Sequence, residues 1–167
     1  MGINSLSQYP YVMEPYPVIM NNYLANQTIV DIACGDNHNL VLTSTGAVYV
    51  WGHGLNGALG TGDTYDRQEP VLINFTPAGA MVVKIWARKS DSFALLNNTV
   101  LFGWGNNAQG QLGVNSNTAN ILTPTVVVTN STMTVIEMAI LGQAAAMLTN
   151  MGAILTSGGD TYNEQLN

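Results

Sequence analysis

Apolar and polar residues along this chain fall into short alternating runs rather than at the 3.6-residue spacing of an amphipathic helix. In the clearest stretch the runs are Ile29–Cys34, His38–Thr43, Ala47–Trp51 and Pro70–Ile73, each bounded by Gly, Asn, Asp or Pro. That pattern predicts four short strands joined by tight turns. Gly46 falls where the hairpin between the second and third strands needs a positive φ, which glycine reaches without steric cost. Pro17, Pro70 and Pro124 stand at or near the start of a fourth strand. Proline has no N–H to donate, so that strand is expected at a sheet edge.

The unit repeats. Ala47-Val-Tyr-Val-Trp51-Gly52 matches Val100-Leu-Phe-Gly-Trp104-Gly105, and the two tryptophans lie 53 residues apart. Leu42-Thr-Ser-Thr-Gly46-Ala-Val matches Leu148-Thr-Asn-Met-Gly152-Ala-Ile two periods downstream, although Thr99 takes the glycine's place in the middle copy. A turn-rich stretch follows each Trp-Gly: Asn56-Gly57-Ala58-Leu59-Gly60, then Gln109-Gly110-Gln111-Leu112-Gly113. Four antiparallel strands at a period near 50 residues predict β-propeller blades, because helical repeats are shorter and carry a different periodicity. Glu137 to Leu148 contains Ala144-Ala145-Ala146-Met147, a helix by propensity alone. The repeat register overrules it in favour of strands.

The fold expected is therefore all-β: blades of four antiparallel strands in an incomplete ring of about three blades. Residues 1–28 read as an outer-strand half-repeat, 29–80 as repeat one, 81–133 as repeat two, and 134–167 as repeat three without its outer strand. Closed propellers have about four to eight blades, so the chain does not close a ring alone. Pro17-Val18-Ile19-Met20 supplies a fourth strand without its three partners. Thr134–Ile140, Ala144–Leu148 and Ala153–Ser157 supply three strands without a fourth. The edges at Pro17, Val18, Ile19 and Met20 and at Ala153, Ile154 and Leu155 are thus expected to complete a blade by strand addition, within a head-to-tail homo-oligomer or filament, or with the rest of a longer chain.

Composition narrows the partners. Four Lys+Arg against ten Asp+Glu give a net charge of −6, and charged residues make up only 8% of the 167. A nucleic-acid binder needs clustered cations to displace counterions, so nucleic acid is excluded as the expected partner. The weakly charged, Asn- and Thr-rich surface favours association with protein. One cysteine, Cys34, rules out an internal disulfide framework and reads as a buried thiol. No apolar run reaches the roughly 18 residues of a membrane span, so membrane insertion is not expected. Leu6 stands where N-myristoylation needs Ser or Thr, and nothing in the sequence assigns a compartment.

Ile32-Ala33-Cys34-Gly35-Asp36-Asn37-His38-Asn39-Leu40-Val41-Leu42, then Gly46-Ala47-Val48-Tyr49-Val50-Trp51-Gly52, then Asn56-Gly57-Ala58-Leu59-Gly60, resembles the repeat of the regulator-of-chromosome-condensation family. The resemblance covers nearly the whole chain. It implies a seven-bladed propeller used as an interaction platform. The family's best-known member is an exchange factor for the small GTPase Ran, and the loop it uses matches Gly35-Asp36-Asn37-His38. Asp36, Asn37 and His38 are the binding residues this implies, with Asp36 and His38 matching in kind. The same loop in the next copies, Arg88-Lys89-Ser90-Asp91 and Leu141-Gly142-Gln143-Ala144, departs from the pattern. The regular spacing leaves no room for the exchange factor's β-wedge, and Trp86-Ala87-Arg88 only faintly imitates the tryptophan motif of the plant ultraviolet photoreceptors of this family. Kelch repeats share the length but not the internal double glycine.

Other candidate chemistry is weaker. Gly52-His53-Gly54-Leu55-Asn56-Gly57 has the form G-x-G-x-x-G after a strand, but no helix follows to meet a pyrophosphate, so turn glycines explain it. Asp63, Asp66 and Glu69 share one loop without the spacing of a calcium cage and read as a solvated acidic loop. His38 beside Asp36 has the form of a general base, yet no Ser or Cys nucleophile recurs nearby, and the repeat explains both as turn residues that satisfy backbone groups. Gly46, Trp51, Gly52, Trp104, Gly105 and Gly152 read as structural repeat positions. Neither a cofactor nor a metal is inferred. The function expected is a non-enzymatic interaction or self-assembly scaffold; the alternative is an exchange factor or regulator of a small GTPase.

Overall fold

The computed structural model describes residues 24–75, 81–97, 100–127, 133–141 and 143–159. Pro17 to Met20 therefore lie outside the described residues. The described chain is built from strands, with one short 3-10 turn at Leu55–Gly57. β1 (Ile29–Cys34), β2 (His38–Thr43), β3 (Val48–Gly52) and β4 (Arg67–Ile73) form a four-stranded antiparallel sheet in that order. A second sheet repeats it with β5 (Val82–Arg88), β6 (Asp91–Leu96), β7 (Leu101–Asn106) and β8 (Asn120–Val126). The third has three strands, β9 (Val135–Leu141), β10 (Ala144–Thr149) and β11 (Ile154–Gly158), with β11 at its edge.

These are propeller blades, each a meander in which every strand pairs with the one before it. The helix-favouring Ala144–Met147 segment is strand because β10 is hydrogen-bonded on both sides, to β9 and to β11. Tertiary pairing overrides local propensity here. The prolines Pro70 and Pro124 lie on the edge strands β4 and β8. Both strands start before their proline, at Arg67 and Asn120; in β4 the leading Arg67-Gln68-Glu69 are polar and leave no apolar alternation to read. β3 and β11 each begin one residue later than expected.

Gly46 and Gly152 adopt φ of 80° and 76° in the hairpin turns. Thr43 and Thr149 brace those two turns identically, the threonine hydroxyl donating to the carbonyl of Ala47 or Ala153 and accepting from the same residue's N–H. At the end of β3, β7 and β11, Gly52, Gly105 and Gly158 take φ of 112°, 105° and 106°.

The apolar core is continuous from blade to blade. Leu40, Val48 and Val50 of the first sheet, Phe93, Phe102 and Trp104 of the second, and Val135, Ala145 and Met147 of the third belong to one buried cluster. Strand alternation divides each blade into a face toward the previous blade and a face toward the next. Val41, Tyr49 and Trp51 pack with Leu24 in a separate cluster on the first blade's other face.

Candidate functional site

The blade-to-blade seams concentrate the buried polar chemistry. At the first seam, His38 opens β2 and is buried, its Nε2 2.7 Å from Ser92 Oγ at the start of β6. Its ring also bonds the Lys89 backbone carbonyl. Ala58, in the loop after β3, accepts from Ser92 Oγ at 3.0 Å and from the Trp104 indole N–H at 3.0 Å. Gly60, at φ 67°, lies beneath that indole, and a Cβ there would come within 2.8 Å of the ring. Burial pushes the His38 imidazole down to about 4, so it is neutral near pH 7.

Ser92 was not visible as a neighbour of His38 in sequence, since the two are 54 residues apart. Their pairing has the outline of a base and nucleophile, but both side chains are buried and the serine hydroxyl is engaged with the Ala58 carbonyl. The pair is a joint between blades. Asp36 and Asn37 are exposed on the adjoining turn. Asp36 N–H donates to the Lys89 carbonyl at 3.0 Å, tying the two turns together.

The second seam reuses the positions with different residues. Ser157, one period after Trp104, donates to the Gln111 carbonyl at 2.8 Å, and Gly113 lies beside it as Gly60 does beneath the indole. Asp91 stands one period after His38 and is buried. Ala145 stands one period after Ser92 and is buried without a polar group. On the inner strands, Glu137 of β9 accepts from Lys84 Nζ at 2.6 Å and from the Trp86 indole N–H at 2.9 Å, and the Lys84 ammonium lies 5.2 Å from the Trp86 ring centre. The lysine and indole hold the Glu137 carboxyl down to about 2. Arg88 donates to the Ile140 carbonyl. A cleft of about 260 Å³ opens between the inner strands, lined by Ile32, Ile85, Trp86, Arg88, Met138 and Ile140.

The remaining sequence candidates resolve into structure. In the G-x-G-x-x-G stretch Gly52 ends β3 and Gly57 ends the three-residue 3-10 turn Leu55–Gly57, both at positive φ, and no α-helix follows among the described residues. In the acidic loop Asp63 pairs with Arg67 at 2.7 Å and accepts from Tyr65 N–H and Thr61, which holds its carboxyl below the usual range. Asp66 accepts from Gly54 N–H at 2.9 Å. Asp63 and Asp66 thus tie down their own loop, whereas Glu69 lies on β4 rather than in the loop. Cys34 is exposed, contrary to the buried thiol expected, because the Val30, Ile32 and Cys34 face of β1 has no described neighbour.

Exposure at equivalent positions locates the uncovered surfaces. Ile85 and Met138 are 3% and 8% exposed, whereas Ile32, one period earlier, is 68% exposed. Val48 and Leu101 are 0% and 2% exposed, whereas Ile154, one period later, is 71% exposed. The first blade is thus open along β1, where Val30 and Ile32 are exposed while Val41, Tyr49 and Trp51 on the same face are buried with Leu24, and the third is open at Leu148 and Ile154. Ile154 and Leu155 belong to β11, the edge of its sheet, and Ala153 precedes it in the turn.

Known proteins share this pattern. Models of the regulator of chromosome condensation (RCC1) repeat match residues 29–58, 45–87 and 100–142. The X-linked retinitis pigmentosa GTPase regulator homolog of Caenorhabditis elegans is 38% identical over 97 residues, covering 56% of this chain and 7% of the relative. The crystal structure of human WBSCR16 superposes with a TM-score of 0.73 at 28% identity, over 80% of this chain and 33% of that one. Prp20p from Saccharomyces cerevisiae, in a structure described with its binding to Gsp1p and histones, gives 0.65 at 30% identity over 78% and 32%. The chain spans about one third of those structures and far less of the relative. On the strength of repeat, blade and seam together, the chain belongs to the RCC1 repeat family of β-propellers.

Proposed function

We propose that this chain is a non-enzymatic propeller module that works through protein–protein contact, the exposed apolar positions of its first and third blades covered by blades of a second copy or by the rest of a longer chain. The observation that carries this is the mismatch in exposure at equal repeat positions: Ile32 and Ile154 are open where Ile85, Met138, Val48 and Leu101 are covered. Apolar area of this kind favours burial by roughly 25 cal/mol per Å². A head-to-tail contact would set the third blade against the first in the order that the first and second blades already use. The bare edge of β11 offers a strand-addition site alongside. Light scattering over a concentration series tests the reading. Discrete species above the 17.8 kDa monomer are expected, shifted toward monomer by Ile154→Asp. A compact, folded monomer at every concentration would exclude completion by a second copy.

A second reading, regulation of a small GTPase, is favoured by the family relationship and by the exposed Asp36 and Asn37 on the matching turn. A relative is described as a GTPase regulator and Prp20p by its binding to Gsp1p. His38 supports that turn from below rather than facing a partner. Nucleotide release from a small GTPase, slowed by Asp36→Ala, is the expected result; no release leaves the first reading alone.

A further inference from the structure

The two seams carry different ionisable groups at one repeat position. His38 meets Ser92 across the first seam. At the second, the repeat places Ala145 where Ser92 stands, and a methyl group offers Asp91 nothing. Among the described residues, Asp91 Oδ1 has no hydrogen-bond partner although the side chain is buried. The Gln111 side-chain amide bonds the carboxyl.

We propose that the seam between the second and third blades is a proton-operated joint, closed with Asp91 as the neutral acid and loosened when Asp91 ionises. The physical argument is desolvation. A buried carboxylate with an unfilled oxygen loses hydration that no group returns, whereas the protonated acid carries no net charge. The groups facing Asp91 do not reverse this. Lys89, beside it on the β5–β6 turn, favours the carboxylate, and Asp36 on the β1–β2 turn opposes it. On the third blade the repeat-equivalent positions, Ala144 and Ala145 at the start of β10 and Ser157 and Gly158 at the end of β11, carry no titratable side chain. The same balance pushes the Asp91 carboxyl up to about 7.

The sign follows from linkage. Between the ordinary carboxylate range and pH 7 the closed seam binds the proton and the opened one does not, so closure weakens as pH rises through that window. His38 works in the opposite sense at the first seam. Its imidazole is pushed down, so acidification from about 6.5 toward 4 protonates the opened form first and weakens that joint. The two seams therefore respond to acid in opposite directions.

Hydrogen exchange of the full chain, converted to opening constants, reads both seams at once. From pH 8 to pH 5.5, opening of β9–β11 is expected to fall by about tenfold or more, at most tenfold per pH step for one proton. Asp91→Asn, nearly isosteric and uncharged, is expected to remove that response. Ala145→Ser restores a hydroxyl donor to the carboxylate and is expected to move the response to lower pH. The carboxyl carbon shift of Asp91 in the unmodified chain keeps the test independent of either variant's folding. A midpoint in the ordinary carboxylate range, or an unchanged response in Asp91→Asn, would overturn the proposal.

Discussion

The two seams share a backbone plan and differ in what crosses it. At the first, an indole and an imidazole span the gap: Trp104 to the Ala58 carbonyl and His38 to Ser92. At the second, Ser157 reaches the Gln111 carbonyl, Asp91 Oδ1 has no partner among the described residues, and the repeat position of Ser92 is taken by Ala145. The period of 53 residues thus sets where a joint is made, and the side chain at that position sets how strong it is and how it answers to pH.

Substitutions can separate these two contributions. Trp104→Ala strips the largest fully buried side chain from the first seam, so urea denaturation should show a loss of about 3–5 kcal/mol. Gly60→Ala forces a positive φ on alanine and drives its Cβ toward the Trp104 ring. A loss of about 2 kcal/mol is expected in the same assay, from strain at that backbone position. Ser157→Ala, the second-seam counterpart of the tryptophan change, removes one hydrogen bond and should cost only about 1 kcal/mol. If Ser157→Ala proved as damaging as Trp104→Ala, the two seams would be equal and the comparison would fail.

A pH series sharpens the first seam. Neutral His38 is the folded form, with its imidazole pushed down to about 4. The stability it withholds from the unfolded chain is present above about pH 6.5 and is lost as pH falls toward 4. His38→Gln should flatten that limb of a thermal-unfolding profile. The smallest effect is expected at Lys84→Ala. The Lys84–Glu137 pair is well exposed, so its loss should fall below about 1 kcal/mol and vanish in high salt.

Much of the fold was legible because strand period, turn glycine and Trp-Gly spacing all pointed to one repeat. Gly46 and Gly152 sit in their turns at positive φ, and β10 is strand where propensity favoured helix. The seams were not legible. Ser92, Asp91, Gln111 and Glu137 gain meaning only from partners tens of residues away, and nothing in their local sequence distinguishes them from surface polar residues. Cys34 misled for a related reason. Cysteine is among the residues most often buried, but exposure at that site depends on which neighbour covers β1 rather than on residue type. β4 began early because its leading Arg67-Gln68-Glu69 are polar and leave no apolar alternation to read.

The threonine-braced hairpins of the first and third blades carry a final consequence. Thr43 and Thr149 close their turns using only atoms of the same hairpin. These two hairpins therefore close on their own atoms, and the Gly46 carbonyl of the first is left to accept from Val82 N–H of the next blade at 3.2 Å. The array is modular in the manner of a one-dimensional chain of coupled units, each with its own stability and a separate coupling to the next. The hairpin sets the local shape, and the seam residues set the coupling to the next blade.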